Sequence, residues 1–369
     1  MGVISRLHSD IEELSKRYLT ASKSIKRRII NDFEYADSLA ERLDIKLQIP
    51  NYKVSYKDFG LYMNQVDECL MDFEGMADVI IGMFKEMDFY SFYQISHEYM
   101  SKHDQELLMS EFLDYFLKDL FSIYQGLIKD DRVIIGDLGS NLGESFFLNQ
   151  INSHYIVLSP NNKSGYIMLE TIIHELCHIY SAIFMKNYRY SGQYNLDNGF
   201  FGETISLYSE LSLYEFLKKK CAIGVGGDLQ RNLVDYYILT YFKTIKYLCE
   251  MAKRVDTSFR SNNVEYWVDG NNRLIVDNDT GMYSYPEFYS NGSLLDVRYA
   301  LSTIEAFNLL ERERNGENPK KIINEFLISC QNDSQLDDFL DSYIDLDFMF
   351  NTIKDRNVLL KNKLLSPKK

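Results

Sequence analysis

Apolar residues at Ile4, Leu7, Ile11, Leu14, Leu19, Ile25 and Ile29 recur at roughly helical spacing, which predicts helix over residues 3–47. The pattern continues over 56–128, where Phe112, Tyr115, Phe116, Leu120, Phe121 and Tyr124 form a stripe of the kind that faces a core. The texture changes near residue 131. Val133-Ile134-Ile135 is β-branched, Gly136, Gly139 and Gly143 follow, and Phe146–Leu148 and Tyr155–Leu158 are two further short strand candidates. After a turn at Pro160-Asn161-Asn162, a helix is expected from Ser164 or Gly165 to about 190, a loop over 191–202, and a helix over 203–219. Beyond a break at Gly224–Gly227 the chain reads as helical over 228–254, then as a hairpin turning at Asp269-Gly270-Asn271-Asn272. A tyrosine-rich loop at 283–293 precedes a helical remainder broken at Asn315–Pro319.

Composition narrows the function classes. Hydrophobic residues make up 46% and charged residues 25%, as in a globular protein rather than a disordered one. A net charge of −14 argues against nucleic acid as a partner. The five cysteines, Cys69, Cys177, Cys221, Cys249 and Cys330, are odd in number and form no CxxC pair, so we expect reduced thiols and a cytoplasmic location. Arg6, His8, Asp10 and Glu12 stand where a signal peptide needs an apolar run, and no apolar segment approaches membrane-spanning length.

Chemistry concentrates at His174-Glu175-Leu176-Cys177-His178, an HExxH sequence. Residues four apart on a helix lie within about 40° of one another, so both imidazoles can reach one metal ion. Glu175 flanks that face, where it can accept a proton from a water held by the metal. With 6 His and at most 54 Glu, chance would produce the pattern about 0.014 times in such a chain. The surrounding helix, 166–184, is apolar nearly all round except for one stripe of Glu170, Thr171, His174, Glu175 and His178. A buried stripe of this kind needs a partner, and a metal in a cleft or a hydrogen-bonded core network would provide it. A zinc site needs a third protein ligand. No histidine follows His178, so a carboxylate from a second helix is the remaining usual choice. The candidate is Glu203, which shares a helical face with Ser206 and Glu210 and follows His178 after 24 intervening residues.

The pattern T-x-x-H-E-x-x-H, 24 residues, then E-x-x-S-x-x-x-E resembles the thimet oligopeptidase and oligoendopeptidase F family of gluzincins, at Thr171, His174, Glu175, His178, Glu203, Ser206 and Glu210. Tyr155–Leu158 followed by Ser159-Pro160-Asn161 occupies the place of the family's strand before the active-site helix, and Gly143-Glu144-Ser145 is a looser match. The resemblance covers about 131–215. It implies that His174, His178 and Glu203 bind Zn2+, that Glu175 is general base and then general acid, and that Ser206 and Glu210 orient the ligands. The chain departs from the family in its shorter region ahead of the motif, in Cys177 where the family usually has Gly, and in lacking a downstream His. In the family's tyrosine-bearing stretch this chain has Tyr283, Tyr285, Tyr289 and further on Tyr299; Tyr289 and then Tyr285 are the first choices as oxyanion donor. Cys177 reads as a packing residue, and His154 either reaches the cleft or serves the core.

The expected fold is mainly α, with two helical lobes around a substrate cleft and a small antiparallel β-sheet next to the active-site helix. Residues 1–130 would be a helical N-terminal lobe and 131–369 the catalytic region. The expected function is a zinc-dependent endopeptidase acting on short peptides, which would pair with an edge strand near Tyr155–Leu158. The alternative is a catalytically weak or inactive peptidase-like protein that binds peptides or acts as a scaffold. The oligomeric state is open.

Overall fold

A computed structural model of the chain describes residues 2–49, 102–138, 142–160, 165–187, 202–222, 265–268, 274–277 and 291–330. The chain divides into two compact units, Met1–Tyr56 with Glu98–Leu196, and Lys57–His97 with Asp197–Lys369.

In the first unit, α1 (Val3–Thr20) and α2 (Lys23–Arg42) are separated by the extended pair Ala21-Ser22. Leu7, Ile11 and Leu14 on α1 and Ile29, Phe33, Ala36 and Leu39 on α2 are buried in one cluster. Ile4, Leu19 and Ile25 share the apolar character of that stripe but lie outside it, exposed to solvent. Asp44 ends α2 in the left-handed region. The amides of Asp44 and Ile45 then donate to the carbonyls of Glu41 and Ala40, closing the helix in a Schellman motif. Helices α3 (Lys102–Phe116) and α4 (Asp119–Lys129) carry the aromatic stripe. Phe112, Phe116, Leu120 and Tyr124 are buried as expected, whereas Tyr115 is exposed.

Three strands follow: β1 (Val133–Ile135), β2 (Gly143–Leu148) and β3 (Ser153–Leu158), in the order β1-β3-β2. The tight connection through Asn149–Ile151, with Asn152 left-handed, makes β2 and β3 antiparallel, Phe146 opposite Tyr155. Strand β1 lies on the other side of β3 and runs parallel to it, Ile134 opposite Val157. The sheet is therefore mixed, not antiparallel as expected, and Tyr155–Leu158 is its centre rather than an edge. All six residues of β3 are buried, as befits a strand flanked by neighbours and covered on both faces. Ile134, Phe146, Leu148, Tyr155 and Val157 join the α1–α2 cluster. Tyr155 donates its hydroxyl to Asp10 at 2.7 Å, Ser153 donates to the same oxygen, and the Arg132 guanidinium lies 3.6 Å from it. Burial and the Asp10 charge push the Tyr155 hydroxyl up from its ordinary pKa. Helix α5 (Gly165–Asn187) packs against β2 and β3.

In the second unit, α6 (Thr204–Ala222) packs against α7 (Asn291–Arg314), which leads to α8 (Pro319–Ser329). Both oxygens of buried Glu313 are satisfied, by Tyr208 Oη at 2.7 Å and Ser212 Oγ at 3.1 Å, and Arg314 pairs with Glu215 at 2.7 Å. The break between α7 and α8 falls where expected: Gly316 takes a left-handed φ of 93°, and Asn318 caps α8 ahead of Pro319. Strands β4 (Glu265–Val268) and β5 (Leu274–Asp277) pair antiparallel, Val268 opposite Leu274, as the turn residues predict. No helix among the described residues is long and apolar enough to cross a membrane.

Candidate metal centre

The segment 166–184 is free of Gly and Pro, so α5 continues unbroken through the motif. Leu169, Ile172, Ile173, Leu176 and Ile179 are buried around it, and so are Glu170, Thr171 and Glu175. His174 and His178 are half-buried one turn apart, their ring centroids 4.9 Å apart at an interplanar angle of 69°. Their Nε2 atoms stand 3.1 Å apart. A tetrahedral zinc with Zn–N bonds of about 2.0–2.1 Å requires about 3.3–3.4 Å between two nitrogen ligands. The pair is thus close to ligating geometry and uses the same nitrogen on both rings. Neutral imidazole and carboxylate are also the donor types zinc prefers. Cys177 is fully buried and in no disulfide, as a packing residue would be.

The start of β2 approaches this stripe. A Cβ placed on Gly143 would fall 3.4 Å from Glu175 Cγ, so the general-base candidate lies against the strand's main chain. The next residue, Glu144, faces Arg42, with Oε2 3.2 Å from Nε. Burial raises the Glu144 carboxyl above its ordinary pKa; Arg42 opposes the rise and the Glu175 charge adds to it. In the sequence, Gly143-Glu144 is only a loose motif match. The absence of a side chain at Gly143 was the available signal.

Glu203 immediately precedes α6, where its carbonyl accepts from Leu207 N at 2.9 Å. It is buried, as are Ser206 and Glu210. Glu203 thus offers a buried carboxylate at the start of a helix of the second unit, and His174 and His178 offer two imidazoles on one helix of the first. Tyr283, Tyr285 and Tyr289 lie outside the described residues; Tyr299 falls within α7. His154 is buried in β3 opposite Phe147, edge-to-face with its ring at 6.2 Å, which is a place in the core.

No family model and no curated protein sequence matches the chain. Among solved structures, a "putative peptidase" from Chlamydophila abortus aligns with a TM-score of 0.51 at 14% identity, over 97% of this chain and 62% of that one. A "putative oligoendopeptidase F" from Bacillus anthracis str. Ames aligns at 0.42 and 13% identity, over 92% and 63% of the two chains. The chain thus spans less than two thirds of the length of either. Its mainly helical fold resembles that of the first.

Proposed function

We propose that the chain is a zinc-dependent endopeptidase hydrolysing peptide bonds in short peptides, at work in the cytoplasm, with residues 1–130 as a helical lobe and 131–369 as the catalytic region. The observation that carries the reading is the Nε2 pair of His174 and His178, 3.1 Å apart on a buried helix with Glu175 beside them. His174, His178 and Glu203 are the proposed ligands. Zinc held by them would supply Lewis acidity, which makes water a stronger acid near neutral pH. Glu175 removes a proton from the attacking water as oxygen bonds to the carbonyl carbon, and returns it to the amine nitrogen as the C–N bond breaks. Ser206 and Glu210 orient the ligands, and Tyr289 or Tyr285 donates to the developing oxyanion.

The test is turnover of quenched fluorescent peptides by the purified protein. A chelator should abolish cleavage and added zinc restore it, while Glu175→Gln should hold zinc and lose turnover. Cleavage that survives the chelator or the Glu175→Gln change overturns the reading. Zinc binding without cleavage would move the chain to the peptide-binding alternative.

A further inference from the structure

Gly143 pairs with Leu158 at the last rung of the β2–β3 ladder, and the chain is held one residue further by Ser159 N, which donates to Leu142 O at 2.9 Å. The strand's register is therefore fixed where it meets α5. A Cβ on Gly143 would stand 2.3 Å from Thr171 Cγ2, 3.4 Å from Glu175 Cγ and 3.5 Å from Glu175 Oε1. The first distance is an overlap that no small adjustment relieves. Thr171 is buried and β-branched, confined to two χ1 rotamers in a helix, and it belongs to the same helix as Glu175, one turn away. The other two distances are ordinary contacts. Backbone conformation does not call for glycine here, since Gly316 is the positive-φ glycine among the described residues. What the position requires is room.

The strand is also braced from its other face. Side chains alternate along β2, so Glu144 points away from α5, and it meets Arg42 at 3.2 Å. Arg42 is the last residue of α2, and its carbonyl accepts from Asp137 N at 3.1 Å. These contacts resist a slide of the strand away from α5, so a methyl group there loads Thr171 and, through α5, Glu175.

We infer that Gly143 is a positioning residue for Glu175: its bare Cα lets α5 rest against the edge strand and so sets where the Glu175 carboxylate stands. The inference rests on the metallopeptidase reading for the role of Glu175, but its geometry does not depend on turnover. The gap between 2.3 Å and an ordinary carbon–carbon contact of about 3.5–4.0 Å is about 1.2–1.7 Å; shared between Thr171 and α5, it should in Gly143→Ala displace the Glu175 carboxylate by roughly 1 Å. Misplacement of that size should lower kcat roughly 10- to 100-fold, with KM and zinc content unchanged. Thr171→Ser deletes Cγ2 and keeps the hydroxyl, so Gly143→Ala/Thr171→Ser should return both the carboxylate and kcat towards the wild type. Gly126→Ala, at a site with nothing within 4 Å of the new Cβ, is the control and should change neither.

The experiment is crystallography of the full-length wild type, Gly143→Ala and the double variant, with metal analysis and peptide kinetics on each. An unmoved Glu175 in Gly143→Ala, loss of zinc from that variant, or a double variant no better than the single one overturns the inference. If Gly143→Ala alone fails to fold, the double variant carries the test and must fold with Glu175 in its wild-type place. If the wild type cleaves no peptide, the proposed function falls, and the positions of Glu175 in the three structures still decide the inference.

Discussion

Tyr155 donates its hydroxyl to Asp10 at 2.7 Å, joining residues 145 apart in the chain. Ser153 shares the acceptor, and the Arg132 guanidinium lies beside it and over the Tyr155 ring, 5.6 Å from the centroid. One carboxylate thus fastens α1 to the central strand and to the segment entering β1. Asp10→Ala would leave two hydroxyls and a mostly buried guanidinium without that acceptor, at a cost of about 2–4 kcal/mol. Asp10→Asn keeps one acceptor oxygen and should cost less. Urea denaturation of the three proteins checks the order, and a loss below about 1 kcal/mol in Asp10→Ala would show that the network is not a brace.

Glu203→Ala should strip zinc or weaken its binding greatly, because two imidazoles leave a tetrahedral site incomplete. Equilibrium dialysis against a zinc chelator of graded concentration measures it. Stoichiometric zinc in the variant would place the third ligand elsewhere. Glu175→Gln is the matched comparison, since Glu175 is assigned no ligand role and zinc should stay.

Among the described residues the helices were the legible part; those expected over 56–101, 228–254 and beyond 330 lie outside them. Helix α5 begins at Gly165 and α6 runs Thr204–Ala222, within a few residues of what periodicity and turn residues predict. That success is local: apolar spacing and a missing proline act within one segment. Which neighbour covers a face is not local, so Ile4, Leu19, Ile25 and Tyr115 look like core and lie exposed. Strand pairing is equally non-local. Val133–Ile135 has the same β-branched character whether it pairs parallel or antiparallel, and its position beside β3 turned a supposed edge into the sheet's centre. The paired histidines were legible because both lie on one helix. Gly143 was not, because its meaning depends on Thr171 and Glu175, 28 and 32 residues further on.

The oxyanion donor can be found by deleting hydroxyls one at a time. Tyr289→Phe, Tyr285→Phe and Tyr299→Phe each keep the ring, and loss of an oxyanion donor typically lowers rate by about 10²–10³. The expected outcome is such a loss in Tyr289→Phe, or failing that Tyr285→Phe, with zinc retained. If no single variant falls even tenfold, the donor is none of the three.

Glu305 on α7 makes stability depend on pH with a definite sign. Burial pushes its carboxyl up to about 7 from 4.5, even though Asn308 Nδ2 donates to it at 2.9 Å and Arg312 partly offsets the rise. Between about 4.5 and 7 the folded chain holds a proton that the unfolded chain releases. The contribution of Glu305 to stability therefore falls as pH rises through that window; its destabilisation is absent below it and complete above it. Glu144 is raised as well and adds to the slope. Glu317 is held down to about 2 by Arg312, so its gain in stability is complete by the time the window opens. Glu305→Gln mimics the protonated group and should flatten the part of the slope that belongs to Glu305, leaving that of Glu144. Denaturant midpoints of wild type and variant at pH 5 and pH 7.5 measure the difference. The variant should gain on the wild type at the higher pH, and equal shifts in the two proteins would show that Glu305 ionises normally.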